Sequence, residues 1–422
     1  MHKIEHLLQT LAPKGVEFKT LEEVFEIKNG YTPSKNNPEF WKNGTIPWFR
    51  MEDIRENGRI LKDSIQHITP KALKGKKLFP KNSIIISTTA TIGEHALLIV
   101  DSLANQRFTF LSKKANCNLA LDMKFFFYQC FLLGEWCKNN TNVSGFASVD
   151  MTAFKKYKFP IPPLEVQQEI VKILDAFTEL NTELNTELKA RKKQYQYYQN
   201  MLLDFNDINQ NHKDAKMSAK PYPKRLKTLL QTLAPKGVEF RKLGEVCDFQ
   251  KGKSITKKAV TFGKVPVISG GRQPAYYHNE ANRSGETIAI SSSGVYAGYV
   301  SYWDIPVFLA DSFSVSPNKK TLMPKYLFHY LTTQQDAIHA TKSAGGIPHV
   351  YSKDLQNFLI PIPPLEIQQE IVKILDQFSL LTTDLLAGIP AEIKARKKQY
   401  EYYREKLLTF KPLTPHKEVE KC

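Results

Sequence analysis

From Glu165 onward the apolar residues Val166, Ile170, Ile173, Phe177, Leu180 and Leu184 recur at steps of four and three, and Tyr195, Tyr198, Leu202 and Phe205 resume the rhythm. That spacing predicts a long helix with a coiled-coil seam. The same rhythm returns at Ile367, Ile371, Ile374, Phe378, Leu381 and Leu385, then at Ile393, Tyr400, Tyr403, Leu407 and Phe410. Pro162-Pro163 and Pro363-Pro364 mark the two starts, because proline fits a first helical turn whose amides lack partners. Gly388 and Pro390 are expected to kink or break the second helix. A helix of about 40 residues would be about 60 Å long. Neither can cover its own stripe, so the two are expected to pack on each other, antiparallel if a pseudo-twofold axis relates the halves. The intervening segments pattern differently. Short β-branched runs at 83–87 and 287–291, punctuated by glycine and proline, precede helical stretches near 124–136 and 324–332, which predicts mixed α/β structure.

The chain is written twice. Residues 7–18, LLQTLAPKGVEF, recur unchanged as 229–240; residues 160–175 recur as 361–376 with only Val166 replaced by Ile367; residues 189–195, KARKKQY, recur as 394–400. Each half reads as opening motif, globular segment, proline corner and long helix. Identity is confined to this frame, and the inserts share little beyond a glycine and a proline. The predicted fold class is α/β, with two globular domains separated by two long helices packed as an antiparallel coiled coil in a pseudo-twofold repeat. The expected divisions are 1–159, a first globular domain; 160–205, a first spacer helix; 206–236, a basic linker with the repeated opening motif; 237–360, a second globular domain; 361–411, a second spacer helix; and 412–422, a tail.

A chain of 422 residues suggests two or three domains, and 42% hydrophobic content favours folding. Of the net charge of +17, the globular segments carry much: 21 Lys and Arg against 14 Asp and Glu in 15–159, and 14 against 9 in 237–360. The linker 206–236 adds 7 against 2, whereas 160–205 carries 5 against 7 and 361–411 carries 8 against 7. Positive globular segments on a near-neutral strut suit a phosphate backbone or an anionic lipid. The five cysteines show no CxxC pair and no zinc-ligand spacing, so no metal site or disulfide framework is signalled and a cytoplasmic location is expected. No run of about 18 apolar residues suggests a membrane span. There is no GxxxxGK[ST] phosphate loop, no Gly-rich cofactor fingerprint and no NPPY or DPPY tetrapeptide. Glu-x-Lys triplets occur at Glu26, Glu187 and Glu392; two fall on the predicted helices, none has an upstream Pro-Asp, and a nuclease site is not expected.

Two unlike segments, each followed by a PIPPLExQQEIVKILD helix start and a KARKKQYxYY helix body, resemble the specificity subunits of type I restriction-modification systems. Gly30-Tyr31-Thr32-Pro33-Ser34, Ile46-Pro47-Trp48 and Ala90-Thr91-Ile92-Gly93 look like a common first recognition segment, and Ser269-Gly270-Gly271 with Ser291-Ser292-Ser293-Gly294 resembles another. The resemblance implies a non-catalytic subunit whose two target recognition domains each read one half of a split, asymmetric site in double-stranded DNA. It implies a helical spacer that docks two methyltransferase subunits, joined by motor and nuclease subunits for restriction. S-adenosylmethionine, ATP and Mg would then serve those partners, with no cofactor in this chain.

Base discrimination in the major groove uses Arg or Lys toward guanine, Asn or Gln toward adenine, and small hydroxyls, whereas phosphates need only charge and amides. In the first segment Ser34, Lys35, Arg50, Gln106 and Arg107 are the candidates for base edges, with Lys74, Lys76 and Lys77 for phosphates. In the second, Arg272, Asn282, Arg283 and Ser292 are expected at bases and Lys253, Lys257 and Lys258 at phosphates, while Tyr276, Tyr277 and Tyr296 can stack or bond a phosphate. The run 189–193 lies beside seam residues and is expected to face solvent or a partner protein.

Overall fold

The computed structural model describes residues 2–142, 147–205, 221–343, 346–383 and 388–413. The chain forms two compact units, one made of Met1–Glu183 with Lys394–Cys422, the other of Leu184–Ile393. The boundaries fall inside the helical regions, so each unit owns a globular segment, the first part of the helix that follows it, and the later part of the other copy's helix.

In the first unit a five-stranded sheet runs in the order Phe25–Asn29, Phe108–Lys113, Ile84–Ser87, His95–Leu98, Ile60–Leu61. A three-stranded sheet runs His67–Ile68, Ile46–Phe49, Leu103–Ala104. The second unit repeats both orders: Cys247–Lys251, Ser312–Pro317, Thr287–Ser291, Val300–Trp303 in one sheet, and Tyr276–His278, Val265–Ile268, Phe308–Leu309 in the other. Sequences that barely align therefore build one topology. The glycine and proline the inserts share explain part of this. Gly44 and Gly263 open equivalent strands, and a Cβ would sit 2.5 Å from the His67 carbonyl carbon in one and 2.2 Å from the His278 oxygen in the other. Only glycine lets those backbones approach so closely. Pro47 and Pro266 follow three residues later in both strands. Part of the first insert's extra length is the helix Met51–Asn57 and the added strand Ile60–Leu61.

The repeated frame is locked by the same side chains in both units. Gln167, fully buried, donates to the Pro162 and Ala120 carbonyls (2.7 and 2.9 Å) and accepts from Asp122 N–H (2.8 Å). Gln368 does the same with Pro363, Thr321 and Met323 at 2.7, 2.8 and 2.8 Å. A buried amide is tolerated only when so satisfied, and here it ties the proline corner to the start of the domain's own helix, Met123–Asn139 or Pro324–Thr333. About two turns on, Asp175 accepts from Lys124 and Tyr128, and Asp376 from Lys325 and His329.

The first long helix spans Leu164–Leu203 and begins directly after the proline pair. The second is interrupted, as Leu365–Thr383 and Ile389–Leu408, with Gly388 in a bend and Pro390 in the first turn of the later piece. The expected seam residue Leu385 lies outside the described residues, as does the side chain of Leu381. Within the first unit the helices run antiparallel: Val16 bridges Pro412 beside the Glu17–Ile161 strand pair, while further along Phe177 meets Tyr403 and Tyr400 at 5.6 and 6.3 Å between ring centres. In the second unit Tyr198 stacks on Phe378 at 5.0 Å. Leu174 and Leu375, one position beyond the seam, are also fully buried, because each helix packs on its own domain as well as on the other helix. No helix among the described residues is long and apolar enough to cross a membrane.

Candidate nucleic-acid interface

At one end of the five-stranded sheet the chain leaves strand Phe25–Asn29 through Gly30, where a Cβ would lie 2.2 Å from the Asn105 carbonyl oxygen. The glycine lets Gly30 N–H reach Phe108 O (2.9 Å) and Tyr31 N–H reach Ala104 O (2.8 Å). This crossing sets Thr32 against Gln106, its hydroxyl donating to Gln106 Oε1. Arg50 enters from the other side at the start of helix Met51–Asn57. Its N–H donates to Asp53 Oδ2 (2.7 Å), and the fully buried Asp53 also accepts from Ile65 N–H (2.6 Å). The Arg50 Nε is buried yet donates no hydrogen bond within the protein, and Glu52 Oε2 stands 3.9 Å from it.

Lys35, Arg50, Gln106 and Arg107 thus converge on one cavity of about 400 Å³, together with Arg55, Asn105 and Thr91, which residue-type reasoning had not selected. Ser34 is exposed beside Lys35, and its carbonyl accepts from Trp41 Nε1 (2.9 Å). Lys74 and Lys76 lie over the Phe40 and Tyr31 rings at 5.3 and 4.2 Å, and Lys77 is exposed. Lys76 is thereby held next to the Gly30–Thr32 crossing, with its charge on the surface.

The second unit builds the same crossing with other residues. A Cβ on Gly252 would fall 2.5 Å from the Leu309 and Ala310 oxygens; Gly252 N–H donates to Ser312 O and Lys253 N–H to Leu309 O, both at 2.8 Å. The cavity beside it, about 330 Å³, is lined by Lys251, Ser254, Ser292, Asp311, His349 and Lys353 among others. Of the expected residues only Ser292 lines it. His349 and Lys353 were missed because they come from a stretch distant in sequence, and Lys251 because nothing local sets it apart from Lys253 two residues on. Lys253, Lys257, Lys258, Arg272, Tyr277 and Tyr296 are exposed, and the Arg272 guanidinium sits 4.9 Å from the Tyr296 ring centre and 5.6 Å from that of Tyr299.

Three of the expected contact residues are engaged within the unit itself. Asn282 spends both ends of its amide on Leu309, donating to its carbonyl (2.8 Å) and accepting its N–H (2.7 Å). Arg283 donates to Ser314 Oγ (2.9 Å) and to the carbonyls of Asn282, Gln250 and Lys251 (2.7, 3.1 and 2.9 Å), and burial lowers its pKa from the usual arginine value. Both side chains clamp the unit's own main chain. Tyr276 lies half-buried in strand Tyr276–His278, packed against the small cluster of Val267, Phe308 and Ala310.

Two units of one topology, each with a lysine-bearing mouth on a repeated helical frame, define a duplicated nucleic-acid-reading protein. The family model for the type I restriction modification DNA specificity domain matches residues 13–193 and 235–395, and the chain belongs to that family. It is 40% identical over 400 residues to the type I restriction enzyme EcoprrI specificity subunit of Escherichia coli, spanning 91% of this chain and 93% of that one. With the EcoR124I/EcoR124II specificity subunit of the same species the identity is 33% over 312 residues, 65% of this chain and 70% of the relative. Among solved structures, the type I restriction-modification S subunit from M. genitalium superposes with a TM-score of 0.59 at 19% identity, covering 93% of this chain and 96% of the other. That likeness is one of fold. The chain is therefore a specificity subunit, and its work is recognition of DNA sequence.

Proposed function

We propose that each unit reads one half of a bipartite, asymmetric DNA site, and that the long helices set the gap between the halves and dock two methyltransferase subunits. The observation that carries this reading is the repetition of one mouth on one topology with almost no side chain in common, beside a frame repeated nearly letter for letter. Diverged mouths serve two different base sequences; a constant frame serves two copies of one partner. In the first unit Ser34, Lys35, Arg50, Gln106 and Arg107 face base edges while Lys74, Lys76 and Lys77 hold the backbone. In the second, Ser292, Lys251, Lys353 and Arg272 take the base-reading role and Lys253, Lys257 and Lys258 the phosphate role, with Tyr277 and Tyr296 at the rim. The chain carries out no chemistry of its own. Adenine methylation with S-adenosylmethionine and ATP- and Mg-dependent restriction belong to the methyltransferase and motor subunits, in the cytoplasm. The test is an exchange of residues 238–359 for the matching segment of a related subunit, with methylated sites mapped by single-molecule sequencing. One half-site is expected to change and the other to persist; simultaneous loss of both refutes independent reading.

A further inference from the structure

Val295 and Ile347 are the anomaly on the rim of the second unit's mouth: two aliphatic side chains left 81% and 66% exposed in a positively charged domain. They are neighbours through the backbone. Gly294 N–H donates to Pro348 O (3.0 Å), Val350 N–H donates to Ser292 O (2.9 Å), and Ser293 bridges His349, so segments 292–294 and 348–350 run side by side along the cavity edge. Gly294, at φ +85°, turns the chain there and hands Val295 to solvent at the end of one segment as Ile347 stands at the end of the other. Both residues are β-branched and stiff at χ1, which lowers the ordering cost of a contact. Cations flank the two segments: Arg272 lies over Tyr296, the residue after Val295, and Lys353, which lines the cavity together with His349 and Val350, lies over Tyr351. The exposed Tyr296 and Tyr351 beside them lie under Arg272 and Lys353, so the aliphatic patch is two residues wide, and a protein partner would ask for a wider one. In the major groove, the apolar feature a base edge presents is the thymine C5-methyl.

We propose that Val295 and Ile347 form an apolar edge that recognises a thymine methyl group in the half-site of the second unit. The inference rests on the reading of that unit as a DNA reader. The loop of the first unit that runs from Ser87 to Gly93, closed by the same kind of hydrogen bond (Gly93 N–H to Ser87 O, 2.9 Å, against Gly298 N–H to Ser291 O, 2.7 Å), carries Thr91 into its cavity. The two mouths therefore differ in what this loop offers a base.

The experiment uses the subunit assembled with its methyltransferase subunits and a synthetic duplex carrying the site mapped by methylome sequencing. Each thymine of the second unit's half-site is replaced in turn by deoxyuridine, which removes only the methyl. One position is expected to weaken wild-type binding about fourfold, the value of one buried methyl group, and Val295→Ala and Ile347→Ala are expected to bind the thymine and uracil duplexes alike. A half-site without thymine, equal wild-type binding to every uracil duplex, variants that keep the wild-type preference, or variants that assemble poorly with the methyltransferase before DNA is added would each overturn it. If binding responds to base changes in this half-site but not to the methyl, the apolar edge alone falls. If transversions throughout the half-site change nothing, the underlying reading falls with it.

Discussion

Arg50 and Arg283 are both half-buried arginines of positively charged units, and what separates them is where their donors point. In Arg283 the domain's own carbonyls and a serine take Nε, Nη1 and Nη2, whereas the Nε of Arg50 meets no acceptor at hydrogen-bonding distance. Residue type made them equal candidates in the sequence, because the carbonyls that occupy Arg283 belong partly to a strand more than thirty residues earlier. The same holds for Asn282. Asn282→Ala leaves the buried Leu309 N–H without its acceptor, while the Leu309 carbonyl keeps Lys253 N–H, and should destabilise the protein by about 1–3 kcal/mol, lowering the melting temperature without altering base preference. Gln106→Ala and Arg107→Ala should leave the melting temperature in place and relax preference at one base pair by about 1–3 kcal/mol. The reverse pattern in a melting and competition-binding series would show Asn282 to be a reader. Lys257, exposed on the short turn Lys257–Ala259, belongs to neither group: Lys257→Ala should weaken all sequences alike and reduce the salt slope by about one.

At the scale of elements, the helices were legible because a 3.6-residue period registers directly in the order of apolar residues. Leu174 and Leu375 escaped the seam because a heptad describes one face, and these helices bury a second against their own domains. The sheets were legible only as short runs; which strand pairs with which is decided by crossings at Gly30, Gly44, Gly252 and Gly263, whose necessity appears only when the opposing backbone is present. Inside Leu164–Leu203 the tetrapeptide run TELN-TELN-TELK keeps Leu180, Leu184 and Leu188 half-buried and the residues between them exposed, Asn181 excepted. Removing one unit therefore preserves the packed face. Deleting residues 182–185 takes out about 6 Å of helix with about 40° of net rotation, against about 3.4 Å per base pair. The gap between methylated half-sites should shorten by one or two base pairs with the half-sites themselves unchanged. An unchanged gap at full activity would rule out the helix as the spacer.

At the scale of the whole molecule the duplication was plain in the sequence, yet the makeup of each unit was not, since the residues that complete the first unit lie at the far end of the chain. Leu407 and Leu408, 4% and 1% exposed, join the core of the first unit; Gln129 Nε2 donates to Leu408 O (3.0 Å), and Leu413 N–H to Val16 O (3.0 Å). Tyr400 and Tyr403 face Phe177, and the Arg404 guanidinium covers Phe131 at 4.3 Å. Deleting residues 394–422 exposes the groove that the two leucines fill, at about 1.5–3 kcal/mol for each, and leaves the buried Gln129 amide unpaired at about 1–3 kcal/mol more. Set against a typical stability of about 5–15 kcal/mol, that loss is large enough to unfold a unit. The truncation should therefore melt the first unit and spare the second, although the deleted residues adjoin the second in sequence. Tryptophan emission reports the event, because Trp41, Trp48 and Trp136 lie in the first unit and Trp303 in the second. Most of the emission change should move to lower temperature, and limited trypsin digestion should cut within 1–183 before it cuts within 221–383. Earlier cleavage within 221–383 would mean that the C-terminal helix supports the unit next to it in the chain.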